Sequence, residues 1–350
     1  MSYTHSIEKL RDWFLQQRRD FPWRQEPTPY QVWISEVMLQ QTQASRVIDF
    51  YKRWMKRFAT IEILASAPLE DVLKLWEGLG YYSRARSIHA ASKDIVERFN
   101  GVIPSDAETL GSIKGLGPYT VGAILSFGYH QKQPAVDANV ARVLARFFAL
   151  DDDISKAKTL QKFRDLAFNL LPDHEPHVIA EALIELGAAV CKKKPECSSC
   201  PLKQQCKAYI EGSQNSLPVK SQKTTYDTLF RDVAVVTCEN SLLVRQGKKG
   251  IACSGLYEFP YFDTCIGGKE ANFLQAQLVE HFALDTSFEM HLDEEKQSFT
   301  RFRVTLYPKL FKAKVKVAIA DHEWYSLEML NTLTFSSGHK RVMLGLVDLL

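Results

Sequence analysis

No stretch of this chain approaches the roughly 18 consecutive apolar residues that a membrane-spanning helix needs, so no such span is expected. The N-terminus, MSYTHSIEKLRDWF, lacks the apolar core of a secretory signal and reads as amphipathic helix, which points to a cytoplasmic protein. A dominant charge is also missing. The 44 Lys and Arg residues against 41 Asp and Glu leave a net +3, too little by itself to argue for nucleic acid. There is no internal repeat and no low-complexity tract. The seven cysteines are not spread as a disulfide scaffold would spread them: four are bunched, and Cys238, Cys253 and Cys265 lie scattered in the last third. What remains has the composition of an ordinary globular protein, 45% apolar and 24% charged. Its 350 residues exceed the usual single domain, so two are expected.

Residues 1–211 read as nearly all helix. RVIDFYKRWMKRF, DVLKLWEGL, SRARSIHAASKDIVERF and TLQKFRDLAFNLL each place apolar residues at helical spacing, and Leu183, Leu186 and Val190 stripe another helix running into Cys191. Pro/Gly punctuation falls between them. Residues 212–227 have the small, polar, lysine-rich composition of a linker. Beyond them DVAVVT, SLLVRQ, RVTLYP and AKVKVAIA read as strands, with a turn at Glu239–Ser241, so residues 228–350 are expected to form a smaller α+β domain.

Three features carry chemistry. Cys191, Cys197, Cys200 and Cys206 put four thiols into sixteen residues, a compact run that suits an iron–sulfur cluster better than zinc or free thiols. From Cys191 to Lys223 seven lysines face two glutamates; this is the composition of a solvated surface, or of a clamped basic loop suited to phosphate. Residues 112–120 hold Gly115 and Gly117 ahead of an apolar helix, which reads as a hairpin between helices whose amides could meet a DNA phosphate, or as a plain helix connection. Asp137 precedes a further helix, where an aspartate is ordinarily an N-cap. Glu36 sits as a lone acid in the apolar helix-like stretch SEVMLQQTQ.

With hairpin, aspartate and cysteines in that order, the chain resembles the helix–hairpin–helix DNA glycosylases with an iron–sulfur loop, and among them the adenine DNA glycosylases (MutY family). The resemblance is carried by FPWR (21–24), PYQVWISEVMLQQTQ (29–43), LWEGLGYYSRAR (75–86), GLGPYTVGA (115–123), VDANVARVL (136–144) and EALIELGAAVC (181–191), with GLYEFP (255–260) in the second domain. It implies a mainly α catalytic domain holding a 4Fe–4S cluster on the four cysteines and a smaller Nudix-like C-terminal domain. It implies action on double-stranded DNA, with adenine opposite 8-oxoguanine or guanine as the target; a monomer is the default expectation because no oligomerisation stripe stands out in the residues. Where bifunctional relatives carry a catalytic lysine this chain has Tyr119, so no Schiff base can form and base removal without strand cleavage follows.

The resemblance also assigns residues. Glu36 would protonate adenine N7, its burial raising its pKa, while Asp137 stabilises the sugar cation and Tyr119 and Asn139 position it. Trp23 and Glu181 would contact the extruded adenine. Gln41 and Thr42 would meet the duplex, Gln41 as a wedge, Tyr81 would stack beside the damaged guanine, and Gly115 and Gly117 would meet phosphate. At helical spacing Tyr81 and Trp23 would otherwise read as core.

The chain departs from the family in three places. The first cysteine gap holds five residues instead of six, and Ala138 replaces a glycine. In place of a Phe-Ser-His lesion-reading loop stand Phe299, Thr300 and Arg301; Arg301 is a cation without an acceptor, so discrimination between 8-oxoguanine and guanine is expected to be looser. The C-terminal domain also lacks a helix with several carboxylates, since LQAQLVEHFAL offers only Glu280, so nucleotide hydrolysis is not expected. Two alternatives remain open on the residues: a glycosylase for another mispaired base, and a non-catalytic DNA-binding scaffold.

Overall fold

The computed structural model describes residues 3–25, 27–221, 225–247, 254–299 and 301–346. They divide into two compact units, one of Met1–Ala67 and Arg86–Lys223, the other of Pro68–Ala85 and Thr224–Leu350. Among the described residues no helix is long and apolar enough to cross a membrane.

The first unit is helical, and its helices start where local chemistry dictates. Thr28 and Gln31 form a reciprocal capping box ahead of Pro29, opening the Pro29–Leu39 helix. Thr60 and Asp106 cap Ile61–Ser66 and Ala107–Gly111 in the same way. The expected helices are present as Ala44–Arg57, Leu69–Trp76, Ser83–Phe99, Ala157–Leu170 and Pro176–Ala189. Trp33, Trp54, Phe14, Phe58, Phe147 and Phe163 are fully buried in this unit. The Trp54 indole bonds the Tyr30 hydroxyl, which in turn donates to the Phe58 carbonyl, so the largest side chains bury no unmet donor there.

In the hairpin only Gly115 uses the left-handed region, at φ +100°. Gly117 is the extended N-cap of Pro118–Ala123 at φ −81°, a backbone open to other residues, so the two glycines are not equivalent. The helix then widens into a π turn over Ile124–Gly128. The 212–221 stretch, of linker composition, is laid onto the first unit. Leu217 is buried and its carbonyl accepts from Arg146, the Ile154 amide donates to the Val219 carbonyl, and Ser221 bonds Asp153.

Among the described residues of the second unit eight strands form one sheet: β1 (Asp227–Cys238), β2 (Ser241–Gln246), β3 (Tyr257–Glu258), β4 (Tyr261–Asp263), β5 (Thr286–His291), β6 (Glu295–Phe299), β7 (Phe302–Ala313) and β8 (His322–Ser326). The order is β3-β2-β1-β7-β5, with β1 and β7 parallel and β4, β6 and β8 pairing β1, β7 and β2. One face packs on the Ala271–Phe282 helix, the other on Leu327–Leu330 and Ser337–Leu346. The unit is therefore α+β. Residues 68–85, which the sequence places in the helical region, pack with this sheet.

One strand expectation fails. AKVKVAIA alternates like a strand, but β7 ends at Ala313, where its partner β5 begins at Thr286, and Val315 stands 64% exposed. Alternation without a neighbouring ladder leaves the backbone groups no partners, so the chain turns away.

Candidate active site

A cavity of about 1130 Å³ opens in the first unit, lined in part by Trp23, Glu36, Gln41, Thr42, Tyr119, Asp137, Asn139 and Glu181. Eight residues named from sequence thus meet in one place, although Trp23 and Glu181 lie 158 positions apart.

Glu36 lies in the last turns of Pro29–Leu39, in a run buried from Tyr30 to Met38. The Tyr119 hydroxyl donates to Glu36 Oε2. Burial pushes its carboxyl up to about 7; the Tyr119 bond opposes this, and the Asp137 and Glu181 carboxylates add to it. Burial also raises the Tyr119 phenol well above its usual range, so it remains a donor.

Asp137 is both an N-cap and a pocket wall, so the two sequence readings coincide. Oδ1 accepts from the amides of Asn139 and Val140 at 2.8 Å each, opening the Ala138–Phe147 helix, and Oδ2 accepts from the Asn139 side chain at 2.7 Å. Burial raises its carboxyl, while those three donated bonds and the Arg142 charge oppose the rise. Ala138 begins the helix without a positive φ, so replacing a glycine there introduces no strain. A closer constraint lies at Gly187, where a Cβ would come within 2.7 Å of Asn139 Cβ. Arg142 spans from Asn139 Oδ1 (2.9 Å) to the Cys191 carbonyl (2.7 Å), and Arg146 bonds Cys191 Sγ and the carbonyls of Lys192 and Lys193. One helix therefore touches both the pocket and the cysteine loop.

Three charged residues of the pocket lining, Arg19, Arg24 and Glu185, were not named from sequence. Glu185 is buried to 2% and accepts from Arg19 (2.6 Å) and Arg24 (2.8 Å); Arg24 also pairs with Glu181 at 3.2 Å. The only available signal was Glu185 standing one helical turn after Glu181, and Arg24 within FPWR. Trp23 is buried and stacked on Phe21 at 4.8 Å, so it is core and pocket wall at once.

Cys191, Cys197, Cys200 and Cys206 line a separate small pocket of about 20 Å³ with Arg146 and Lys203. Burial and the neighbouring thiols push Cys200 up to about 12. Among the described residues no three His, Cys, Asp or Glu side chains are gathered as for a single metal ion.

The remaining named residues lie outside the cavity. Gly115 and Gly117 are on the exposed hairpin. Tyr81, in the second unit, is 44% exposed and so is not core. Phe299 ends β6, and Arg301 pairs with Asp227 at 3.3 Å; Thr300 lies outside the described residues.

The profile of the HhH-GPD superfamily base excision DNA repair proteins matches residues 34–167, which hold Glu36, Tyr119, Asp137 and Asn139. A solved thermostable thymine-DNA glycosylase is similar with a TM-score of 0.55 and 25% identity, over 59% of this chain and 95% of that one. The class is that of helix–hairpin–helix glycosylases. An adenine DNA glycosylase of Rattus norvegicus is 42% identical over 218 residues, 59% of this chain and 42% of the rat protein. One from Buchnera aphidicola subsp. Schizaphis graminum is 34% identical over 265 residues, 75% of this chain and 76% of that protein. The chain belongs to the adenine DNA glycosylase family. Its matched stretch spans less than half the length of the rat relative.

Proposed function

We propose that this protein is a monofunctional DNA glycosylase of base excision repair that removes adenine mispaired with 8-oxoguanine or guanine. The observation that carries the reading is Glu36, a buried carboxyl held near neutrality in a cavity it shares with Asp137. Protonated Glu36 delivers its proton to adenine N7, and the bond from sugar C1′ to N9 breaks with its electrons going to the base. An oriented acid of this kind is worth ~10²–10⁴-fold in rate. Asp137, whose ionised form receives three hydrogen bonds, faces the cationic sugar, and water adds at C1′, passing its proton to the Glu36 carboxylate left by the first step. Tyr119 holds Glu36, Asn139 holds Asp137, and Trp23 and Glu181 border the base.

Gln41, with φ +56° and in the cavity lining, is the wedge, Thr42 beside it meets the duplex, and the exposed Gly115–Gly117 hairpin meets phosphate. In the second unit Tyr81 stacks beside the opposite base, and the β6–β7 turn at Phe299 and Arg301 reads it, with Arg301 favouring phosphate over the lesion. We assign 1–211 as catalytic domain, of which 68–85 pack with the sheet unit, 212–227 as a connecting segment whose 212–221 part docks on the first unit, and 228–350 as a Nudix-like recognition domain. The Ala271–Phe282 helix carries only Glu280 as an acid, which does not suit pyrophosphate hydrolysis. The protein is read as a cytoplasmic monomer, nucleoid-associated if bacterial.

The four cysteines fit a 4Fe–4S cluster. All four line one small pocket, burial and the neighbouring thiols raise Cys197, Cys200 and Cys206 as a bound cation would relieve, and the four sulfurs would be the ligands of the cluster. When bound, the group cross-links four loop positions and holds the lysines between them in one shape.

The test is single-turnover base release from duplexes with adenine opposite 8-oxoguanine, guanine or thymine, with alkali revealing abasic sites. Release opposite 8-oxoguanine, strand scission only after alkali, and its loss in Glu36→Gln are expected. Release of another base redirects the reading to a different glycosylase. No release from a preparation with iron–sulfur absorbance leaves a DNA-binding scaffold.

A further inference from the structure

Tyr81 is a non-glycine residue at φ +49°, between Gly78 and Gly80 on one side and the Ser83–Phe99 helix on the other. A side chain in that conformation is strained and persists where the surroundings over-determine it. The surroundings here are specific. On one flank, Glu77 Oε1 accepts from the Phe335 amide at 2.9 Å. On the other, the Tyr82 hydroxyl donates to the Phe335 carbonyl at 3.3 Å. Both sides of Tyr81 are therefore tied to the main chain of one residue, more than 250 positions away.

Phe335 is itself fixed. Its ring is fully buried in the sheet core, and its neighbours lace onto β3, with the Tyr257 amide donating to the Thr334 carbonyl and the Ser336 amide to the Tyr257 carbonyl. Lys74 reinforces the tie, donating to the Leu333 carbonyl at 2.7 Å and pairing with Glu77 at 3.1 Å, while Lys340 reaches Glu77 at 3.4 Å. Within the loop, Trp76 and Arg84 both donate to the Gly80 carbonyl at 3.0 Å, and the Arg84 guanidinium stacks 5.6 Å from the Tyr81 ring centre. The loop is closed from inside, and its position is set from the sheet.

We propose that the Phe335 main chain is a clamp through which the sheet sets the Tyr81 loop, making Glu77 and Tyr82 positioning residues for discrimination of the base opposite adenine. The proposal rests on the reading of Tyr81 as the residue stacked beside that base. Glu77, Tyr82 and Phe335 are not among the residues lining the adenine cavity, so loss of the clamp is expected to change which duplex is preferred and to leave the chemistry intact.

The test uses the full chain with its cluster. Two variants are compared: Glu77→Ala/Tyr82→Phe, which removes both ties, and Glu77→Gln, which keeps an oxygen for the Phe335 amide. Two readouts are taken, hydrogen–deuterium exchange of the 77–84 peptide and the ratio of adenine release opposite 8-oxoguanine to that opposite guanine. The double variant is expected to exchange faster over 77–84 and to lose about five- to tenfold in the ratio, the worth of one hydrogen bond, at an unchanged rate opposite guanine. Glu77→Gln should lie close to the unmodified protein. Unchanged exchange, faster exchange with an unchanged ratio, or an equal loss opposite both bases each overturns the clamp. If the unmodified protein releases adenine from neither duplex, the proposed activity fails separately, and the ratio is read from dissociation constants of the two intact duplexes. An unchanged ratio there overturns the clamp equally.

Discussion

Replacing Tyr119 by phenylalanine tests the acid assignment because it pushes rate and pH dependence in opposite directions. The Tyr119 hydroxyl donates to Glu36, and this bond favours the ionised carboxylate against the burial that raises it to about 7. A proton donor at Glu36 must be protonated, so base release is present below about pH 7 and falls up to tenfold per unit above it. A hydrogen bond to a charged group is worth ~1.5–3 kcal/mol, and part of it survives in the protonated state. The remainder, set against 1.36 kcal/mol per pKa unit, moves the carboxyl up by roughly one unit. Tyr119→Phe should therefore have a lower plateau rate and an alkaline limb displaced to higher pH. Single-turnover release across pH 5.5–9.5 on one adenine-containing duplex reads both quantities, with the range chosen to bracket about one unit on each side of the two limbs. A limb that stays near 7 or moves down would show that Glu36 is not the titrating acid or that Tyr119 does not hold it.

Three further outcomes follow from the packing. Asp232 is fully buried against Lys309 and also accepts from the Lys269 amide, so Asp232→Ala leaves an unpaired buried ammonium and should cost ~3–5 kcal/mol by denaturant unfolding of the second unit. Pairing it with Lys309→Met should recover most of that loss, and no recovery would rule out the unpaired charge as the cause. Gly187→Ala puts a methyl group 2.7 Å from Asn139 Cβ and should cost ~1–3 kcal/mol while slowing base release through Asn139; unchanged stability and rate would mean the helices separate freely. His339 is fully buried, its Nδ1 accepting from the Phe259 amide, with Glu258 4.0 Å from Nε2 and Arg231 and Arg245 nearby. Burial lowers its pKa from 6.5 to about 3, so the unfolded chain binds the proton first. Its contribution is complete above pH 6.5 and is lost as pH falls toward 3, with a slope of up to about 1.4 kcal/mol per unit. His339→Gln should flatten that dependence in urea titrations, and an unaltered slope would place the acid sensitivity elsewhere.

The local chemistry of this protein was legible in its residues. Thr28 and Gln31 announce a helix start, Asp137 a cap, and Gly115 a tight turn, because each acts within a few positions of itself. The motifs also singled out Glu36, Tyr119 and Asp137, which line one cavity, and the spacing singled out the four cysteines, which line another. Periodicity misled at AKVKVAIA, where alternation was real but β7 ends at Ala313. At residues 212–221 the polar composition gives no sign of the docking through Leu217 and Val219.

Other features depend on where distant segments come to rest. The raised carboxyl of Glu36 comes from burial and from acids at 137 and 181, and no local pattern encodes a desolvation. The network of Arg19, Arg24, Glu181 and Glu185 joins residues more than 150 positions apart, each of which alone reads as a surface charge. The same holds for Phe335, whose main chain bonds residues flanking Tyr81; backbone groups carry no residue identity, so only the folded chain shows which segment they meet. Sequence determined the elements and the reactive groups, while tertiary packing decided their protonation, their partners and the loop geometry around them, because burial and distance exist only after folding.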